Sequence, residues 1–236
     1  MLREEFATFT DHLLLQGQSC DAACDLNWRL STVSGHRILI MVSRTMYAAS
    51  AVLGQHEEGL LADARITGVV SNHLDAAAHA ELRGVPFVHI PTGDSAESKA
   101  EAERRLLHLV ITQRITVLVL ARYMQVLSPM LCAELEAAGV TVINLHHGDV
   151  AAYPGARPGR RALERGSRKI AATVHVATKD LDMGPIIDQE FWRLPPAASE
   201  QDIARLQWRG GALLAETLWA WLSGRVVLCG STAEII

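Results

Sequence analysis

Short apolar runs rich in branched residues alternate along the chain with longer stretches in which apolar positions recur at helical spacing. Residues 37–43 (RILIMVS) form an unbroken apolar run, the pattern of a strand buried on both faces. A helical pattern at 46–61 follows, then a second strand at 65–71 and an alanine-rich helix at 76–83. Gly84, Val85 and Pro86 punctuate the chain before a short strand at 87–90. Residues 95–113 form the clearest amphipathic helix, with Ser95 placed to cap it. A buried strand at 115–121, a helix at about 129–138 and a strand at 140–145 complete this part. Strands alternating with helices of this length predict βαβ units and a parallel sheet, and hence an α/β fold.

After residue 145 the pattern changes. The glycine- and proline-rich stretch 148–159 reads as a loop. Residues 169–178 and 185–194 read as strands close enough to pair as a hairpin. One long helix is expected over 200–222, carrying Trp208, Trp219 and Trp221, and then a small terminal hairpin. Residues 1–35 match no complete unit.

Composition narrows the class. Of 236 residues, 49% are apolar and 20% charged, which is ordinary globular material. With 22 basic and 26 acidic residues, the net charge of −4 gives no general pull toward nucleic acid or an anionic membrane. Four cysteines, with Cys20 and Cys24 lacking a second pair, argue against both a disulfide scaffold and zinc. The start lacks the basic, then apolar, pattern of a signal peptide, and no apolar run is long enough for a membrane span, so a cytoplasmic protein is expected. The turn after the first strand, Ser43-Arg44-Thr45-Met46, has no glycine, so no nicotinamide cofactor or nucleotide is signalled.

Candidate chemistry gathers at the carboxyl ends of the later strands, where open α/β sheets bind ligands. Asn144 and His146 stand two apart at a strand end and so share a face, an amide beside an imidazole that would suit a developing oxyanion. The same pair would equally satisfy backbone groups at a strand terminus, and spacing does not decide. Asp182, in Leu181-Asp182-Met183-Gly184-Pro185, is either a turn residue or a carboxylate facing a histidine, with Asp180 a rival. His146 and His147 point to opposite faces and cannot easily share a metal ion, so no metal is expected.

Several sequence words bear a family resemblance. In order they are WRL at 28–30, ILIMVS at 38–43, GVVSNH at 68–73, PFVHIP at 86–91, LARYMQVLSP at 120–129 and INLHH at 143–147. YPGARP at 153–158, ALERG at 162–166, ATVHVATKDLDMGPIIDQ at 172–189 and RVVLCG at 225–230 follow. Together they resemble the folate-dependent formyltransferase family, most closely its formyltetrahydrofolate deformylase branch, across about residues 28–236. The resemblance implies a Rossmann-like formyltransferase fold, a mostly parallel sheet flanked by helices, in a catalytic domain over 36–236. Residues 1–35 would be an N-terminal extension, the remnant of the ACT regulatory region common in that branch. It implies 10-formyltetrahydrofolate as the folate bound and Asn144, His146 and Asp182 as the catalytic set. The folate's pterin edge would meet Tyr123, Met124, Gln125, Val126 and Leu127 on one stretch. On a second it would meet Thr178, Lys179, Asp180 and Leu181.

The activity so implied is hydrolysis of 10-formyltetrahydrofolate to formate and tetrahydrofolate. Transfer of the formyl group to a small amine, and a folate-binding paralogue without activity, are the alternatives. A homo-oligomer is expected. The chain also departs from the branch. Tyr47 lies in a word that usually carries a histidine and an aspartate. Gly148 replaces a serine, Ala151 a proline and Gly159 a tyrosine. These changes imply a looser, roomier loop, with Arg160 and Arg161 able to attract an acidic acceptor.

Overall fold

The computed structural model describes residues 35–61, 64–229 and 232–236. The WRL word at 28–30, Cys20 and Cys24, and nearly all of the expected N-terminal extension lie outside the described residues. Nine strands and seven helices are described, in the order β1 (His36–Val42), α1 (Tyr47–Glu57), β2 (Ala64–Ser71), α2 (Ala77–Leu82), β3 (Phe87–His89), α3 (Ala96–Thr112), β4 (Val117–Leu120), α4 (Pro129–Ala137) and β5 (Thr141–His146). There follow α5 (Pro158–Glu164), β6 (Lys169–Val176), β7 (Ile186–Arg193), α6 (Glu200–Gln207), α7 (Arg209–Leu222), β8 (Val226–Cys229) and β9 (Thr232–Ile235).

Seven strands form one sheet in the order β3-β2-β1-β4-β5-β6-β7. β1 to β5 run parallel, while β6 pairs antiparallel with β5 and with β7. β8 and β9 form a separate antiparallel hairpin. The unbroken apolar runs are explained by burial on both faces. Ile38, Ile40, Val119, Ile143 and Leu145 pack toward α1 and α7. Leu39, Met41, Leu118, Leu120 and Val142 pack on the other face with Leu106 of α3 and Leu131 of α4. Ser95 caps α3 by accepting from the Ser98 N–H, as its position predicts.

One element differs from expectation. The single helix over 200–222 is two, parted at Trp208. The Gly210–Gly211 pair is a weak point for a continuous helix, and the Trp208 indole stacks on Tyr47 of α1 with ring centroids 4.9 Å apart. A Ser199–Asp202 capping box starts α6 independently. Among the described residues no helix is long and apolar enough to cross a membrane.

Candidate active site

The order of strands reverses beside β1 and β4, and the chains leaving β4 and β5 open a cavity of about 640 Å³ at their carboxyl ends. Asn144 and His146 enter it from β5, and Leu145 turns into the core, as period two requires. Asp182 comes from the turn between β6 and β7. Its backbone is left-handed, with φ 57°. Two residues on, a Cβ at Gly184 would lie 1.8 Å from the Val176 carbonyl oxygen, so only glycine closes this turn. The turn aspartate and the cavity aspartate are therefore one residue.

Asp182 Oδ2 lies 3.4 Å from His146 Nδ1 and accepts a 2.7 Å hydrogen bond from the Gly155 N–H. Its Oδ1 lies 3.6 Å from Nε2 of His175, a residue buried to 1% exposure. His175 Nδ1 faces the Val176 carbonyl at 3.1 Å. A carbonyl only accepts, so in the neutral ring Nδ1 holds the proton and Nε2 accepts from the Asn144 amide at 2.9 Å. That bond orients the amide with its second N–H free for the cavity. His146 Nε2 donates to the Tyr153 carbonyl at 3.1 Å, which leaves Nδ1 facing the carboxylate. Sequence reasoning used His175 only as a landmark. Its pairing opposite Asn144 across the β5–β6 register was the available signal.

Burial lowers the His146 pKa, opposed by the Asp182 charge and the bond to the Tyr153 carbonyl. Burial pushes Asp182 up, but the neighbouring His175 ring, the bond from the Gly155 N–H and the histidine charges outweigh that and hold the carboxyl below its ordinary value. His147 is pushed down to about 3, first by burial and then by the charges of Arg122 and His146.

The cavity is also lined by Tyr123, Met124, Gln125, Val126 and Leu127, and by Thr178, Lys179 and Leu181. Among the described residues the main-chain N–H groups of Gln125, Val126 and Leu127 have no partner. Ser43 Oγ accepts from the Met124 N–H and donates to Asn72 Oδ1. Glu103 receives both the N–H and the hydroxyl of Ser128. Asp180 departs from expectation. It is exposed, does not line the cavity, and its carbonyl accepts from Thr178 Oγ1 and the Met183 N–H. Its carboxylate is therefore no rival to Asp182 in the cavity.

The roominess expected from the two glycines is also corrected. A Cβ on Gly148 would fall 2.3 Å from the Pro158 ring, and one on Gly159 2.8 Å from Ile203 of α6. The space is filled by α5 and α6. Arg160 pairs with Glu164 at 2.9 Å and Glu200 at 3.7 Å, and Arg161 donates to the Pro154 carbonyl. Neither arginine stands ready for an acidic ligand. Among the described residues no group of three or more metal-ligating side chains assembles.

Residues 36–217 match the family model described as Formyl transferase. A formyltetrahydrofolate deformylase of Mycobacterium tuberculosis is 41% identical over 170 residues, 72% of this chain and 53% of that protein. The chain thus spans about half the length of the curated relatives first matched. The formyltetrahydrofolate deformylase of Corynebacterium sp. is 34% identical over 242 residues, covering 100% of this chain and 82% of that protein. The crystal structure of the Pseudomonas syringae formyltetrahydrofolate deformylase superposes with a TM-score of 0.76 at 34% identity, over 87% of this chain and 67% of that one. A glycinamide ribonucleotide transformylase of Symbiobacterium toebii, at 23% identity and a TM-score of 0.77, shares the fold, over 86% of this chain and 95% of that one. With the sheet order, the cavity and these matches in agreement, the chain belongs to the formyl transferase family.

Proposed function

We propose that the protein hydrolyses 10-formyltetrahydrofolate to tetrahydrofolate and formate. The observation that carries this reading is the convergence of Asn144, His146 and Asp182 on one cavity beside the open N–H groups of 125–127. The pterin would lie along 123–127 and the 178–182 turn, taking main-chain hydrogen bonds. The formyl carbon would then stand at the end of β5.

The formyl carbonyl is a poor electrophile because the N10 lone pair delocalises into it. As water oxygen adds to the carbon, charge develops on the carbonyl oxygen. The free N–H of Asn144 and the Nε2–H of His146 would donate to that oxygen, each worth about 3 kcal/mol in the transition state. To do so His146 exchanges the Tyr153 carbonyl for the substrate oxygen. The Asp182 charge favours the protonated ring, which donates from both nitrogens, and Asp182 takes the water's proton, directly or through a second water. The C–N10 bond then breaks, N10 gains a proton, and formate leaves as an anion with the remaining proton released to solvent.

The test is to incubate the protein with 10-formyltetrahydrofolate alone and follow both products. Equal release of formate and tetrahydrofolate is expected. Turnover only on addition of an amine would make the protein a transferase, and folate binding with no turnover would make it a binding protein.

A further inference from the structure

Several charged groups line the cavity, Arg157 and Lys179 among them. His146, His175 and Asp182 face one another, and Arg160 and Arg161 are engaged elsewhere. Arg122 has no such arrangement. It leaves the end of β4 in a left-handed conformation, φ 69°, and lines the cavity. Among the described residues its partner is Tyr47, whose hydroxyl accepts from Nη1 at 3.3 Å and whose ring centroid lies 5.5 Å from the guanidinium carbon. Among the described residues no carboxylate pairs with it. A guanidinium has five N–H donors, so most of its hydrogen-bonding capacity faces the cavity unused. Half-buried cations are ordinarily paired.

The surroundings hold this group rather than neutralise it. The Tyr47 hydroxyl also bonds His147 Nε2, and the Tyr47 ring is clamped against Trp208. Tyr47 accepts from Arg122 and donates to His147, so its hydroxyl is engaged on both sides. His147 is held neutral by burial and by Arg122 itself, so it competes for no anion.

Position says which ligand this arginine meets. Arg122 lines the same cavity as Asn144 and His146, and the histidine its charge acts on is His147. Its partner Tyr47 belongs to the α1/α7 face of the sheet. Tyr123, Leu127 and Ala177 of the folate stretches pack on the opposite face. The guanidinium therefore stands on the side of the cavity away from the folate stretches, next to Tyr47 and His147.

We infer that Arg122, held by Tyr47 and His147, forms a subsite for a small oxyanion beside the reacting centre, a carboxylate or phosphate distinct from the folate. On the hydrolytic reading, on which its biological identity rests, the carboxylate is the formate product. A phosphate would instead belong to a second, phosphorylated substrate. A planar guanidinium fork suits either group.

The experiment titrates sodium formate and, separately, inorganic phosphate into the full chain with tetrahydrofolate bound, reading ¹³C-formate or ³¹P line width. Arg122→Gln is expected to weaken anion binding about tenfold or more, the range for a hydrogen bond to a charged group. Arg122→Lys should weaken it less. Tyr47→Phe should weaken it a few-fold. Tetrahydrofolate affinity should stay within about twofold in all three, which also reports that they are folded. Tighter formate binding assigns the subsite to the product, and tighter phosphate binding assigns it to a phosphorylated partner. Anion binding that is absent from the wild type, or unchanged in Arg122→Gln and Tyr47→Phe, overturns the subsite. So does a loss of tetrahydrofolate affinity in Arg122→Lys as large as its loss of anion affinity. No turnover is measured, so an inactive protein that binds formate through Arg122 would refute the hydrolytic reading and leave the subsite standing.

Discussion

Two segments line the same cavity and are held there by different means. The stretch 122–128 is fixed from outside the chemistry: Ser43 holds the Met124 N–H and Glu103 holds Ser128. The loop 148–157, held also by Thr173, Arg161 and its own Asp149, is tied to the candidate catalytic side chains. His146 donates to its Tyr153 carbonyl, and Asp182 accepts from its Gly155 N–H. One wall of the cavity is thus indifferent to the charge state of the site, whereas the other is tied to it. On the proposed reading, a rigid platform for the folate stands beside a loop that must release its hold on His146 when a substrate oxygen arrives.

The comparison breaks most sharply at the shared groups. His146→Ala and Asp182→Asn are expected to lower kcat by about 10²–10³-fold or more, with folate affinity nearly unchanged, because their interactions strengthen only in the transition state. Single-turnover kinetics with a parallel folate titration checks this. Equal losses in kcat and folate affinity would mean that the two walls are not independent.

Gly184→Ala should come next. Its Cβ would meet the Val176 carbonyl at 1.8 Å, so the turn carrying Asp182 must open. A loss of about 3 kcal/mol in denaturant unfolding is expected, with turnover falling alongside. Gly148→Ser should cost about 1–3 kcal/mol through the Pro158 ring, and it should not raise hydrolysis, since no empty space is being refilled.

Ser43→Ala tests the other wall. Loss of its bond to the Met124 N–H should raise KM several-fold and leave kcat within about twofold, as expected for a bond made equally in ground and transition states.

The smallest effects are in pH. The folded state depresses His147 to about 3, so below about pH 6.5 the unfolded chain binds a proton that the folded chain refuses. Stability should therefore fall as pH drops from 6.5 toward 3, and Asp182, with its lowered pKa, adds to the loss at the acid end. Tyr123 behaves in the opposite sense. Burial and then the Glu103 charge push it up to about 12, so its contribution is present below pH 10 and lost as pH rises toward 12. Thermal midpoints across pH should show the histidine side weakening in acid and the folate stretch weakening in alkali. His147→Gln should flatten only the acid limb, and Tyr123→Phe only the alkaline one.

Much of this was legible in the chain. Burial on both faces makes parallel strands read as unbroken apolar runs, and β1, β2, β4 and β5 were placed by that signal within two residues. Asn144 and His146 were visible as a same-face pair at a strand end. Asp182 could not be told from Asp180 by spacing, because the choice depends on a left-handed backbone and on Gly184 meeting Val176 from across the turn. The fate of Gly148 and Gly159 was illegible for a related reason. A missing side chain announces space, but only the packing of α5 and α6 tells whether another residue has taken it. The break at Trp208 was hidden because apolar periodicity continues across it.

Among the described residues five other than glycine have positive φ, and three of them, Arg122, Arg157 and Asp182, line the cavity. Each left-handed position costs about 1–2 kcal/mol that a glycine would not. The sequence of greatest stability and the sequence that aims these side chains are therefore different sequences. Selection for heat resistance alone would drift toward glycine at 122, 157 and 182, and a thermostable variant obtained that way would keep the sheet and lose the arginine and the carboxylate it presents.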